Sequence, residues 1–474
     1  MTDPVISPDG KWMWTGAEWI PAPPSSSQSA NVSLQDSVIG GDVTIIQNNA
    51  EDIAAAMVTA LERIGFSGQS SPAELTPSQE AEVEEVLEMS EQLVSHGIEI
   101  DPWTEITLGN AAQLAGKTHS AQQHYLRALE TFRKNGDRQG EAASLGNLGL
   151  IAITRGDLVE AERLQQGSLD IQKVIGNRGG EANSLLNLGE IARHRGDFTE
   201  AERLYRGSLA IWKEISDRDG EADSLNNLGL IAQTRGDLAE AERLQRESLA
   251  IKRESGDRQG EAGSLLNLGE LARARGDLVE AERLYRESLV IQREIGDRQG
   301  EAGSLGNLGI IAEDFRGDHA EAERLHRESL AIKREIGDRR GEAVSLGNLA
   351  VSAGRRGDLA EAERLHKEAL AIKRESGDRQ GEAGSLLNLG EIARARGDLV
   401  SRGDLAEAER LYRESLAIER EIGNREGEAT SLIKLGNTLL NRNMDERHRC
   451  YTEAVRIQRE VGIPIQQWFI ENGY

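Results

Sequence analysis

Three patterns in this sequence have residue types that could do chemistry. Residues 111–118, AAQLAGKT, end in Gly-Lys-Thr, as does a loop that cradles phosphate with backbone N–H groups. That loop needs a strand before it, whereas the residues here have helical spacing and Gly116 falls in phase with Gly156 and Gly196. Arg-Gly-Asp occurs eight times, an adhesion tripeptide in isolation, but its fixed phase is explained by a helix stop and a helix start. The eight histidines lack metal spacing: His326 and His366 share one repeat position, and His119 and His124 lie on one helix with no Cys or carboxylate set beside them. Every remaining Ser, Cys or carboxylate grouping belongs to the repeat itself. The chain therefore reads as non-enzymatic and without a cofactor.

A column of amides is left. Asn stands directly before a Leu-Gly or Leu-Ala pair at Asn147, Asn187, Asn227, Asn267, Asn307, Asn348 and Asn388. An amide carries donors and an acceptor, so the column can pair with the main chain of an extended peptide. It can equally bond the neighbouring repeat. After the Gly the copies fall into two kinds. Glu190, Glu270 and Glu391 are each followed three residues on by Arg193, Arg273 and Arg394, whereas Leu150, Leu230 and Ile310 take that place elsewhere. The Glu copies also carry Tyr205, Tyr285 and Tyr412, where Gln165 and Gln245 alternate. Duplication of repeat pairs explains this superperiod, and a groove so lined presents apolar and zwitterionic bands in turn.

The elements that must position these residues are copies of one sentence, cleanest at residues 256–299: GDRQGEAGSLLNLGELARARGDLVEAERLYRESLVIQREIGDRQ. Such a period is read before any single residue. Leu265, Leu268, Gly269 and Ala272 have helical spacing, as do Ala281 and Tyr285, which predicts two helices per unit. Between them Gly276 can take the left-handed conformation that ends a helix, and Asp277 can cap the next, with Glu280 completing a capping box.

The unit resembles the tetratricopeptide repeat on Leu265, Leu268-Gly269, Ala272, Ala281 and Tyr285, with Ser288 where the family usually has Ala. The family's closing Pro is absent, Arg293 standing in its place, so the second helix is expected to run about two turns further. In that length and in its Gly-Asp-Arg linker the unit is similar to the repeats of kinesin light chains and of the LGN/Pins adaptors. The resemblance implies an all-α, right-handed solenoid of about nine helix-turn-helix repeats over residues 101–463. It also implies a groove walled by the residues around the Leu-Gly pair, serving a scaffold or adaptor that binds a peptide or protein segment. A ligand-responsive regulator or sensor subunit of a signalling assembly is the alternative.

The flanks read differently. Residues 1–20 hold Trp12, Trp14 and Trp19 and read as a Trp-rich hairpin or tail, followed by a linker over 21–31. Residues 32–66 read as a small β-hairpin plus a helix, too small to be stable alone and expected to self-associate, giving a homo-oligomer, or to pack on the solenoid. A linker over 67–75 precedes a capping helix over 76–100, and 464–474 form a C-terminal cap or tail. The residues doubled in RGDLVSRGDLAEAER, near Ser401, are expected to bulge as a loop, with Asp404 as the cap. The net charge of −25 argues against a nucleic-acid or anionic-membrane partner. A single cysteine, Cys450, and no apolar run of membrane-spanning length suit a cytoplasmic protein.

Overall fold

The computed structural model describes residues 5–6, 12–14, 19–21, 50–66, 75–399, 402–439 and 443–472. It divides into two compact units, Met1–Leu204 and Tyr205–Tyr474. The hairpin expected within 32–46 lies outside the described residues.

In the first unit β1 (Val5–Ile6), β2 (Trp12–Trp14) and β3 (Trp19–Pro21) pair antiparallel in that order, with Ile6 opposite Met13 and Trp14 opposite Trp19. Helix α1 (Ala50–Ile64) packs on α2 (Pro77–Ser95) and on α3 (Pro102–Leu114), burying Met57, Leu61, Ile64 and Phe66. Thr76 and Gln79 form a reciprocal capping box at the start of α2, and Gln79 Nε2 also donates to Ile64 O at 3.2 Å. The pairs then begin: α3 with α4 (Thr118–Asn135), α5 (Arg138–Thr154) with α6 (Leu158–Ile175), then α7 (Arg178–His194). Helix α8 (Phe198–Ile215) carries the chain across the division.

In the second unit five further pairs are described: α9 (Arg218–Thr234) with α10 (Leu238–Ser255), α11 (Arg258–Ala274) with α12 (Leu278–Ile295), α13 (Arg298–Asp314) with α14 (His319–Glu335), α15 (Arg339–Arg355) with α16 (Leu359–Glu375), and α17 (Arg379–Leu399) with α18 (Arg402–Glu421). A sixth pair follows, α19 (Arg425–Leu439) with α20 (Met444–Val461), and then the short α21 (Gln467–Glu471). On α21, Phe469 is buried with its ring centroid 5.2 Å from that of Tyr451.

One pair shows how the sequence makes the element. Leu265, Leu268, Leu271 and Ala272 of α11 and Ala281, Leu284 and Tyr285 of α12 are buried together, an apolar stripe at helical spacing on each partner. Gly276 ends the first helix at φ 80°, and Asp277 accepts the Glu280 N–H at 3.1 Å to start the second. The reciprocal half of the expected capping box is not made, because Arg283 takes both Glu280 oxygens at 2.8 Å. A bidentate guanidinium is the stronger partner for a carboxylate than one backbone N–H. The doubled turn near Ser401 also departs from expectation. Instead of a loop, α17 runs on to Leu399 and α18 starts at Arg402, which puts Asp404 inside the first turn rather than at the cap. Helical continuation gives most of the extra residues internal hydrogen-bond partners that a loop would leave to water. First helices pack on their counterparts one repeat on, α3 on α5 and α5 on α7 in the first unit, α11 on α13 and α13 on α15 in the second.

Candidate functional site

Six of the seven Asn side chains are half-buried and Asn388 is exposed. Two are committed to the fold: Asn267 Nδ2 donates to Asn226 Oδ1 at 2.8 Å, and Asn147 Nδ2 lies 3.4 Å from Asn110 Oδ1, in each case one repeat away. Among the described residues no hydrogen bond from the side chains of Asn187, Asn227, Asn307, Asn348 or Asn388 is found. The column is thus part structural tie and part unspent amide.

The charged copies turn inward to different degrees. Glu190 holds Arg193 in a two-pronged ion pair, Nε to Oε2 at 3.0 Å, with His194 Nε2 also 3.0 Å away. Glu391 accepts from Tyr412 Oη at 2.7 Å and Lys434 Nζ at 3.1 Å, with Arg394 at 3.4 Å. Burial pushes the Glu391 carboxyl up, but the Tyr412 and Lys434 hydrogen bonds and the two cations hold it below the ordinary carboxylate range. Burial first and Glu391 second raise the Tyr412 phenol. Glu270 and Arg273 are exposed and do not pair with each other.

Second-helix side chains reach under this face because Gly stands above them. A Cβ on Gly269 would lie 2.5 Å from Tyr285 Cε1, and one on Gly229 2.8 Å from Gln245 Nε2. Gln165 and Gln245 fill the place of Tyr by donating to the carbonyls of Gly146 (2.8 Å) and Asn226 (3.0 Å). Ser288, where the family has Ala, donates to Ala262 O at 2.9 Å, which satisfies its buried hydroxyl.

Two features escaped the sequence argument. In three successive copies of the second unit the Glu of Gly-Glu-Ala is buried between two guanidiniums: Glu261 with Arg253 (2.8 Å) and Arg258 (2.6 Å), Glu301 with Arg293 (2.7 Å) and Arg298 (2.5 Å), Glu342 with Arg334 (2.7 Å) and Arg339 (2.5 Å), whereas Glu221 has Lys213 (3.4 Å) beside Arg218 (2.6 Å). Burial raises the Glu342 carboxyl, and its two arginines outweigh that and hold it below the usual range. Arg293 and Arg298 also reach forward to Glu328 and Glu335 at 2.5 Å, stitching one repeat to the next. The signal was present, since Arg recurs eight and three residues before that Glu in copy after copy. The second feature is a cavity at one repeated phase: about 450 Å³ beside Leu249, Leu268 and Leu284, about 400 Å³ beside Leu330, Leu349 and Leu365, and about 300 Å³ beside Leu370, Leu389 and Leu411. Each opens between two second helices, is floored by the first helix between them, and is rimmed by Arg and Glu; no residue of the Asn column lines any of the three.

Paired helices of near-constant length, joined by glycine stops and aspartate caps and stacked first helix on first helix, define a helical-repeat protein. The chain belongs to the tetratricopeptide repeat family, whose profile matches residues 102–173, 180–254, 261–335 and 341–401. No curated protein matches it. Among solved structures it is similar in fold to a signal transduction ATPase with numerous domains bearing a tetratricopeptide repeat sensor, from Pyrococcus horikoshii (14% identity, 90% of this chain and 72% of that one, TM-score 0.54). It is similar also to the apo form of the quorum sensor NprR from B. thuringiensis (13%, 87% and 99%, TM-score 0.50). Nearly identical repeats of a kinesin light chain-like protein from Podospora anserina match over less of the chain (21%, 42% and 97%, TM-score 0.36). Among the described residues no helix is long and apolar enough to cross a membrane, and no grouping of His, Cys, Asp and Glu could hold a metal ion.

Proposed function

We propose that the chain is a protein-interaction scaffold that holds a polypeptide segment along the first-helix face of its second unit, at Asn227, Asn307, Asn348 and Asn388, with Asn187 offering the same group in the first. The observation that carries this is the unspent amide: half-buried Asn227, Asn307 and Asn348 recur at one repeat position with no partner in the described fold. An amide set in that way offers donors and an acceptor at fixed intervals, as a main chain requires. Leu230 and Ile310 beside them give apolar contact, and Glu270/Arg273 and Glu391/Arg394 give mixed charge. The lone, buried Cys450 suits a reducing cytoplasm. Partners captured by the full chain from its native organism should be lost to a variant with Asn227, Asn307 and Asn348 all changed to Ala. Each lost bond is worth about 0.5–1.5 kcal/mol, so the triple change should weaken binding at least about tenfold while helicity is unchanged.

A sensor role is the second reading, favoured by the two fold neighbours described as sensors. The bound segment would then be a signal that changes the helix packing. Small-angle scattering of the free and bound chain separates the two: a scaffold keeps its dimensions and a sensor does not.

A further inference from the structure

Helices of the second unit are joined differently on their two sides. Successive first helices pack directly, α11 on α13 and α13 on α15, and no comparable packing joins successive second helices. A cavity parts α10 from α12, α14 from α16 and α16 from α18, and the contact made across it is charged. Arg253 reaches Glu287, Arg334 reaches Glu368 at 2.5 Å and Arg374 reaches Glu414 at 2.5 Å. All six residues line the cavity that their pair spans. Arg293 joins α12 to Glu328 of α14 at 2.5 Å in the same way, and Arg420 joins α18 to Glu453 of α20 at 3.0 Å.

An exposed ion pair standing alone contributes little, because water screens it and both side chains are free to leave. These pairs do not stand alone. Nε of Arg334 is first held by Glu342, 5% exposed, on the first helix between, which aims its outer nitrogen at Glu368. Glu368 is steadied in turn by Arg364 of its own helix at 3.1 Å. One guanidinium therefore ties α14, α15 and α16 together. The first unit gives the contrast. A cavity of about 290 Å³ lies at the same phase between α4 and α6, lined by Leu129, Leu145, Leu148 and Leu164. There Gly167 stands in the place of Glu287 and Glu368, and Arg133 bonds Glu141 of α5 at 3.0 Å with no carboxylate to meet at that place on α6.

We infer that the second unit is a charge-braced spring. Apolar contact along its first helices is the hinge, and the Arg–Glu pairs fix the spacing of its second helices, so the curvature of the first-helix face stiffens or relaxes with ionic strength. Salt acts on the brace and not on the hinge. The screening length falls from about 10 Å at 0.1 M to about 3 Å at 1 M, whereas apolar burial depends on the area removed from water and not on charge. The device needs no ligand, and it goes beyond the function proposed above by governing the shape of the face that function uses.

Pulsed dipolar EPR on the full chain tests this. Nitroxide side chains are placed by genetic encoding at Ala239 and Ala360, exposed residues at one repeat position on α10 and α16, so that Cys450 is left as it is. In about 0.05 M sodium chloride the distance distribution should be narrow, and in about 1 M it should be at least about twofold wider with helicity unchanged. The triple change Glu287→Gln, Glu328→Gln, Glu368→Gln removes the carboxylate charge from the three braces between the labels and should give that width at both salt concentrations. The triple change Glu240→Gln, Glu280→Gln, Glu321→Gln removes the same charge from pairs that each lie within one second helix, and should leave the distribution narrow. Glu328→Gln alone should broaden it less than the first triple change, and carries the comparison if that variant loses helicity. A parent that stays narrow in high salt, or two triple variants that broaden alike, overturns the inference.

Discussion

Ser352 Oγ donates to the buried carboxylate of Glu313 across 2.9 Å, from α15 to α13. Ser352 occupies the core position held by Leu271, Ile311 and Ile392 in neighbouring copies, and Glu313 the position of Arg273 and Arg394. His319 Nδ1, at 2.7 Å, is the other close partner of Glu313, with Arg355 at 3.5 Å. Two departures from the repeat thus compensate each other. Restoring the apolar residue alone, Ser352→Leu, should lower stability by about 1–3 kcal/mol, because it leaves a buried carboxylate oxygen without its donor. The double change Glu313→Arg, Ser352→Leu should recover most of that loss in urea unfolding. A stabilised single variant would contradict the pairing.

Ser216 takes φ 59° where the corresponding residues of the next repeats, Gly256 and Gly296, take 74° and 76°. A side chain in the left-handed region costs about 1–2 kcal/mol, part of which glycine returns through a freer unfolded chain. Ser216→Gly should therefore raise stability by about 0.5–1 kcal/mol, read as a shift in the urea midpoint with no change in slope.

His326 and His366 are depressed by burial from 6.5 to about 4, with Lys333 and Lys373 adding to the effect and Glu313 opposing it at His326. The unfolded chain takes up these protons below pH 6.5 and the folded chain only near 4. Stability from the neutral rings is complete above 6.5 and falls as pH drops through that window, by on the order of 1–3 kcal/mol for each ring. Gln fills the same position at Gln165 and Gln245, so His326→Gln, His366→Gln should flatten the fall between pH 7 and 5. Carboxylates remote from the two rings contribute equally to both chains, so the difference in urea midpoints reports the rings together with Glu313, which faces His326.

Gly269→Leu forces atoms into the space of the Tyr285 ring, 2.5 Å from where its Cβ would stand. The expected loss is about 1–3 kcal/mol. Ala350, with a Cβ at the same position and His366 opposite, shows that one methyl is accommodated by a smaller partner. A variant melting with the parent would show that the helices do not cross there.

How much of this was legible follows distance along the chain. The Gly276 stop and Asp277 cap are settled within four residues by backbone sterics and one side-chain oxygen, and the sequence was enough to place them. The Gly269–Tyr285 contact joins residues sixteen apart inside one helix pair, and periodicity placed both on helices without showing that they meet. What failed to be legible was competition between partners. Glu280 could cap or could take Arg283, and geometry within one helical turn chose Arg283. The residues near Ser401 could loop or wind on, and the winding that extends α17 and α18 depends on their neighbours. Asn267 could face a ligand or a neighbour, and only the stacking of one repeat on the next, which sets the 2.8 Å approach to Asn226, decides it. The Glu261 clamp joins residues eight and three apart that read as surface charge until the previous helix is in place.

The central claim, that a polypeptide is held on the first-helix face and not in the cavities between second helices, is tested most directly by site-specific photo-crosslinking. A benzophenone side chain is placed at Ile310, beside the Asn column, or at Ala250, in the wall of the 450 Å³ cavity, in the otherwise unchanged chain. Irradiation with the captured partner should give an adduct from position 310 that is lost with the Asn227, Asn307, Asn348 triple change, and none from position 250. An adduct from position 250 alone, indifferent to the three amides, would contradict the account.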